Sequence, residues 1–274
     1  MTTVPVTRTD IEQTIHTLGL SGGPVCVHSS LRSFGPIAGG ADSVIDGLLD
    51  ADCTVLVPTF SDVFHIAPPM TMRPSRNGRD YAMPNETPGA DIIFTPDTKE
   101  MNADMGALPA TLLQRPGRQR GNHPLDSFAA VGPLAAELIA EQGPRDVYAP
   151  LRALAKRDGW VLLMGVGLTR MTILHLAEQT AGRNLFLRWA NDPDGQPMYA
   201  EIGSCSEGFD VFEPLLAPLA YEARVGVSRW SAYRAAEVVA TAADAIRANP
   251  RMTHCANPTC LVCRDAVLGG PITP

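Results

Sequence analysis

No stretch of this sequence is apolar for long enough to span a membrane, and Met1-Thr-Thr-Val-Pro-Val-Thr-Arg8 has no basic region followed by an apolar one. Neither a membrane anchor nor a secretory leader is expected, so a cytoplasmic protein is. Cysteine is scarce. Six in 274 residues cannot staple a chain of this size, so reduced thiols, with or without a metal, are expected instead of a disulfide scaffold. Basic charge is not in excess: the formal net charge is −7 and the pI is near 5.3. That balance argues against nucleic acid and anionic membrane as partners and suits a small cationic one. The chain also lacks internal repeats, a low-complexity linker, and any His-Glu-x-x-His or His-x-His spacing.

What is present is 45% hydrophobic residues, enough for the core of one large α/β domain. Thr9 to Leu18 has helical spacing and stops at Gly19 and the Gly22-Gly23-Pro24 turn. Val25-Cys26-Val27 reads as a buried strand, Val44 to Leu49 as a helix begun at Gly39-Gly40-Ala41-Asp42-Ser43, and Thr54 to Val57 as a second strand. Further helices are expected near Ala110 to Gln114, Pro133 to Gln142 and Leu151 to Lys156, with a strand-like run at Phe128 to Val131. Phe186 to Trp189 and Met198 to Ile202 read as antiparallel strands about the Asn191 to Gly195 turn, and Ser231 to Ala248 as one long Ala-rich helix. Alternating strands and helices predict an α/β fold with a parallel or mixed sheet. The region from about 62 to 104, rich in Pro, Met, Asn and Arg, is too long for a plain connection and reads as a lid-like insertion. A single domain over 1–250 is followed by a Cys-rich tail over 251–274.

Two kinds of local pattern carry chemistry. The strands near Val27 and Val57 end in hydroxyl-rich loops, His28-Ser29-Ser30-Leu31-Arg32-Ser33-Phe34-Gly35 and Pro58-Thr59-Phe60-Ser61. Such loops offer hydroxyls and unpaired backbone N–H groups to a phosphate where no Walker lysine exists. The serines could equally be helix caps. The second pattern is Trp160-Val-Leu-Leu-Met-Gly165-Val-Gly167-Leu-Thr169-Arg-Met-Thr172-Ile-Leu-His175-Leu-Ala-Glu178: a buried strand, a glycine turn, then a helix capped at Thr169 or Thr172. His175 and Glu178, three apart, share one helix face, where the carboxylate can orient the ring as a general base. A half-buried structural histidine would look the same.

Taken in order, His28 to Gly35, Gly39-Gly40-Ala41, Val57-Pro58-Thr59-Phe60, Met105-Gly106-Ala-Leu108-Pro109, His123-Pro124-Leu-Asp-Ser127, Gly165-Val-Gly167 and Thr172 to Glu178 resemble the aminoglycoside 3-N-acetyltransferase (antibiotic N-acetyltransferase) family. The resemblance implies a three-layer α/β/α sandwich with a central mixed sheet, unlike GNAT acetyltransferases. It implies acetyl-CoA as donor and a primary amine, the 3-amino group of an aminoglycoside antibiotic, as acceptor. His28, Ser29, Ser30, Leu31, Ser33, Phe34, Gly35, Thr59, Gly167 and Thr169 are then expected at the coenzyme, with His175 as catalytic base, Glu178 beside it, and direct transfer without a covalent enzyme intermediate. Glu207 matches an acidic position that supports the histidine. Asp62, Asp97, Asp104 and Glu178 are candidate carboxylates for a polycationic acceptor, with Glu207 grouped on the substrate side. Ala110 stands where members often carry Glu, and Arg120-Gly121-Asn122 where they often carry Arg-Ser before the His-Pro turn; both changes fall near the acceptor side or a loop that shapes it.

The tail adds Cys255-x4-Cys260-x2-Cys263, three thiols in nine residues, with His254 or the distant Cys205 as a fourth ligand for tetrahedral structural zinc. Free thiols on a mobile end are the alternative. Three other functional readings are an acetyltransferase of a non-aminoglycoside amine, a metal-dependent hydrolase using His28, His65, His123 and His175, and an acidic groove that sequesters a basic molecule without changing it. A monomer or homodimer is expected.

Overall fold

The computed structural model describes residues 4–83 and 92–272. Helix α1 (Arg8–Leu18) begins on a capping box, in which the Thr7 hydroxyl accepts the Asp10 N–H and the Asp10 carboxylate accepts the Thr7 N–H; it ends at Gly19 with φ +73°. There follow β1 (Pro24–Ser29), α2 (Gly40–Asp50), β2 (Thr54–Pro58), α3 (Ala107–Leu112), β3 (Gln119–Arg120), β4 (Phe128–Val131), α4 (Ala135–Ile139), α5 (Ala149–Lys156) and β5 (Trp160–Met164). The second half holds α6 (Ile173–Thr180), β6 (Phe186–Asn191), β7 (Pro197–Ile202), α7 (Glu213–Leu216), β8 (Tyr221–Val225), β9 (Ser228–Arg234), α8 (Ala235–Ala248) and α9 (Leu261–Val267).

Seven strands form a mixed sheet in the order β3-β4-β2-β1-β5-β9-β8, with β2, β1 and β5 parallel and β4 and β9 antiparallel beside them. The central strands are covered on both faces, which is why Val25-Cys26-Val27 and Trp160 to Met164 are continuous apolar runs instead of alternating ones. Val25, Val27, Val55 and Val57 pack on Ile11, Ile15, Val44 and Leu112 from α1, α2 and α3. Cys26, Leu56, Val161 and Leu163 pack with Leu138, Leu151, Leu174 and Ala242 from α4, α5, α6 and α8 on the other face. The expected α/β/α sandwich is thus what forms. Truncating a fully buried leucine in either layer, such as Leu162 or Leu174, costs about 2–5 kcal/mol.

The helix expected from Ser231 begins four residues late. Ser231 to Arg234 belong to β9, where Trp230 and Ala232 pack in the α1–α3 layer and Tyr233 in the α4–α8 layer. Pairing with both β5 and β8 outweighs the helical preference of the Ala-rich sequence.

Among its described residues the insertion carries short 3-10 turns at 62–64, 70–72 and 103–105 and isolated bridges at Arg76 and Ile93, and it lies against the β6–β7 hairpin. Ile66 N–H donates to Trp189 O at 2.9 Å, the Trp189 indole N–H donates to Met72 O at 3.1 Å, and the Asn77 amide brackets the Leu187 backbone. Residues 84–91 of the expected lid lie outside the described residues. Arg118 and Arg120, which the sequence presents as a basic loop, are tethers for this segment. Arg120 is buried and donates to the carbonyls of Thr59, Thr98 and Glu100; burial pushes its guanidinium down to about 10. The tail is docked too, since buried Asp265 of α9 accepts the Gly78 N–H at 2.7 Å. No helix among the described residues is long and apolar enough to cross a membrane.

Candidate active site

The site is built where β1 and β5 end side by side. β5 stops at Met164, and Gly165 turns the chain at φ +68°, so close to the β1 exit that a Cβ there would lie 2.0 Å from the Ser33 hydroxyl. A 3-10 turn over Leu168–Arg170 leads into α6, with Thr172 at the N-cap position but no hydrogen bond from its side chain. From Ile173 to Glu178 every α6 residue is buried.

His175 Nδ1 and Glu178 Oε2 are 2.8 Å apart. The Ser204 hydroxyl donates to the same Oε2 at 2.5 Å, and the Arg183 guanidinium bonds Oε1. Burial works to raise the Glu178 carboxyl; hydrogen bonds from His175 and Ser204, with the charges of His175 and Arg183, outweigh it and hold the group below the usual carboxylate range. A carboxylate acceptor fixes the proton on Nδ1, so the lone pair of the neutral ring is on Nε2. Nε2 has no hydrogen-bond partner among the described residues and is not sealed in.

Three further groups hold the ring. Tyr148 stacks parallel to it at 6.1 Å between centroids, and Phe209 lies against it at 4.8 Å. Gly203 passes over both rings: a Cβ there would meet Tyr148 Oη at 2.4 Å and His175 Cδ2 at 2.8 Å. Nearby, Asp126 accepts the Gly203 N–H, and burial together with the Asp62 charge pushes its carboxyl up to about 7.

A groove of about 470 Å³ opens at the carboxyl ends of β1 and β5, lined by Ser33, Gly165, Gly167, Leu168, Ser228 and Arg229 among others. Ligands of open α/β sheets bind at such strand ends. The turn over 168–170, whose Leu168 lines the groove, packs on the turn over 209–212, and Phe209 of that turn lies against His175.

The model of the aminoglycoside 3-N-acetyltransferase family matches residues 26–247. The chain belongs to that family. Aminoglycoside N(3)-acetyltransferase IX of Micromonospora chalcea is 39% identical over 184 residues, 65% of this chain and 63% of the relative. Aminoglycoside N(3)-acetyltransferase VII of Streptomyces paromomycinus is 35% identical over 183 residues, 65% of this chain and 62% of the relative. The match therefore spans somewhat under two thirds of either enzyme's length. Among solved structures, the apoenzyme of aminoglycoside acetyltransferase AAC(3)-IVa superposes with a TM-score of 0.78 at 26% identity, covering 97% of this chain and 100% of that one. A histidine-to-alanine mutant of the same enzyme in complex with a gentamicin gives 0.77 at 26% identity, over 98% and 99%.

Of the positions this family resemblance assigns to the coenzyme, Ser33 and Gly167 line the groove. Several others are occupied elsewhere. Phe34 is core, packed edge-on against Trp230 at 5.6 Å, and half-buried Leu31 joins the same apolar cluster. Thr59 is buried with its hydroxyl on Ser127, because the strand it follows pairs with β4 and points it at that neighbour. His28 is buried in β1 with Nε2 3.7 Å from Cys26 Sγ, and burial lowers its ring to about 4. Ser30 uses its backbone: its N–H donates to Met164 O, and its carbonyl accepts from Ser33. Ser29 is half-buried opposite Met164, Gly35 is exposed at φ +80°, and Thr169 is half-buried in the 168–170 turn.

On the acceptor side, Asp62 is exposed, bonded to Asn102, and close enough to act on Asp126; Asp97 and Asp104 are exposed. Glu207 is exposed and directs its N–H at Cys205. It does not support the histidine; Ser204 and Arg183 do, because Gly203 draws the loop across the ring and brings Ser204 to the carboxylate. Tyr148, Ser204 and Phe209 have no local signal in the sequence, and Asp126 stands there only within the His123 to Ser127 motif of the resemblance. Arg183, just beyond the α6 end, is legible there only as a cation near a helix C-terminus.

The four histidines weighed for a hydrolase form no ligand cluster among the described residues. His123 Nδ1 accepts the N–H groups of Leu125 and Asp126, shaping the His-Pro turn, and burial lowers its ring to about 3. The ligand cluster that does form is thiol: Cys205, Cys255, Cys260 and Cys263, all within 4.8 Å of one another. His254 is not in it; its Nδ1 faces Cys255 O at 2.9 Å.

Proposed function

We propose that this chain transfers the acetyl group of acetyl-CoA to a primary amine of an aminoglycoside antibiotic, the 3-amino group, with His175 as general base. The observation that carries the reading is the oriented imidazole: Nδ1 on a carboxylate that Arg183 and Ser204 also hold, leaving Nε2 as the acceptor. An alkylammonium has no lone pair at pH 7, so a proton must leave before nitrogen can attack a thioester. The ammonium releases that first proton to bulk water, and Nε2 takes a second from the same nitrogen as the C–N bond forms and the C–S bond breaks. The second proton then passes to the departing CoA sulfur, which leaves neutral enzyme, amide and free thiol, with one proton in solvent. The Glu178 carboxylate faces the charge that gathers on the ring meanwhile.

The groove at the β1 and β5 ends suits an extended pantetheine chain. Arg229 lines it, and Arg32 and Arg170 are exposed on the adjoining turns at 31–34 and 168–170; these are the cations for the coenzyme phosphates. Asp126 and Asp62 form an acidic flank beside the ring, suited to a polycationic acceptor.

The experiment is thiol release from acetyl-CoA across aminoglycosides and simpler primary amines, with mass spectrometry and NMR locating the added acetyl group. Release that requires an aminoglycoside and acetylates its 3-amino group supports the proposal. Acetylation at another amine corrects the acceptor, and tight aminoglycoside binding without thiol release overturns the activity.

A further inference from the structure

We propose that Cys205, Cys255, Cys260 and Cys263 bind one zinc ion that clamps the C-terminal segment to the loop carrying Ser204 and Phe209. Three of these thiols lie beyond the residues matched by the family model, which ends at 247. Cys205 comes from the loop after β7; the other three come from the approach to α9 and its first turn. All four sulfurs lie within 4.8 Å of one another. Four thiolates on one tetrahedral zinc, at about 2.3 Å each, stand roughly 3.8 Å apart, so small side-chain adjustments complete the shell. The sulfurs form one group, not two bonded pairs, and all four cysteines are free.

The backbone around the cluster is arranged for thiolates. Cys255 N–H donates to Cys263 Sγ at 3.4 Å, Glu207 N–H is directed at Cys205, and the N–H groups of Val262 and Cys263 at Cys260. Donors on sulfur stabilise the anionic ligand and orient it, as outer-shell groups of metal sites do. The two segments are also brought unusually close. A Cβ on Gly208 would lie 2.3 Å from Thr253 O, so only glycine lets the loop run against the chain leading into Cys255. Four soft thiolates select zinc over hard cations, and a closed four-cysteine shell leaves no coordination position for substrate. The ion's role is therefore structural.

What it would hold is specific. Ser204, next to Cys205, donates to Glu178; Phe209, four residues on, packs on His175. From the other side, Thr253, two residues before Cys255, accepts from Arg183, which holds the second oxygen of Glu178. The metal thus closes a loop of contacts around the acid-base pair, while the donor groove at Ser33, Gly165 and Ser228 lies outside it.

The test is elemental analysis of the full chain purified under reducing conditions, paired with removal and replacement of the metal. About one equivalent of zinc per chain is expected, released together when the thiols are titrated with an organomercurial. Cobalt(II) added to the zinc-free protein should give the absorption of a tetrahedral thiolate centre, and the paired substitution Cys260→Ser with Cys263→Ser should abolish it. A chain that holds no zinc, does not gain thermal stability on zinc addition and shows four titratable thiols overturns the site, as does a disulfide among the four found by peptide mapping. These readouts do not depend on the acetyl-transfer reading. A second arm does rest on it: zinc removal should lower kcat about tenfold or more, with the KM for acetyl-CoA unchanged within about twofold. An unchanged kcat in zinc-free protein overturns the coupling to Glu178.

Discussion

Arg183 ties Glu178 to Thr253: one guanidinium nitrogen bonds both the carboxylate facing His175 and a hydroxyl seventy residues further on. A second nitrogen donates to Pro250 O at 2.6 Å. The His175–Glu178 pair on α6 is therefore braced by chain that follows the whole sheet.

His175→Ala should lower kcat by about 10²–10⁴-fold, the usual contribution of a positioned base. Coenzyme affinity should change little, because the ring is not among the residues that line the groove. Steady-state thiol release together with calorimetric CoA binding checks both; lost CoA binding with retained turnover would reverse the assignment.

Removing Arg183 leaves a buried carboxylate without its cation. Arg183→Met should destabilise the fold by about 3–5 kcal/mol, read from urea unfolding, and should reduce kcat as Glu178 loses its hold. A loss near zero would mean that Ser204 and His175 suffice.

The Glu178 carboxyl sits below the ordinary carboxylate range in the folded chain. Its contribution to stability is then fully present above its unfolded value, near pH 4 to 5, and is lost as pH falls through the depressed folded value. Urea midpoints followed downward from about pH 6 should fall more steeply for the wild type than for Glu178→Gln. Parallel curves would contradict the assignment.

Burial and the Asp62 charge push the Asp126 carboxyl up to about 7. Below that it is neutral, and above it adds a negative charge beside the ring. The KM of a cationic acceptor should therefore fall as pH rises through about 7, and Asp126→Asn should flatten that change while leaving the KM for acetyl-CoA unaltered. The measurement is KM against pH for both substrates; an acceptor KM with the same pH dependence in both proteins places the cation elsewhere.

Gly165→Ala places a methyl 2.0 Å from the Ser33 hydroxyl on backbone at φ +68°. Strain of about 1–3 kcal/mol and a reshaped groove should raise the KM for acetyl-CoA several-fold before the acceptor KM moves. Equal effects on both would show that the β1–β5 exit does not belong to the donor alone.

The sequence alone determined the layers and the shared helix face of His175 and Glu178. Continuous apolar runs at β1, β2 and β5, alternating with helical periods, suffice for a layered α/β fold with a parallel or mixed sheet, because burial on both faces leaves a local mark on every residue of a strand; the three-layer sandwich is what the family resemblance implies. The spacing of His175 and Glu178 on one helix face is likewise local. The start of α8 is not legible in this way, because Ser231 to Arg234 take their conformation from partners in β5 and β8, which no window of sequence contains. For the same reason the sequence points to Glu207 where the fold uses Ser204, presents Arg120 as part of a basic loop where it is a buried tether, and leaves Tyr148 and Asp126 without a role. Which side chains meet around the imidazole depends on close approaches at Gly203 and Gly208, and which line the groove on one at Gly165. Those are set by how distant segments pack, so only the tertiary structure decided them.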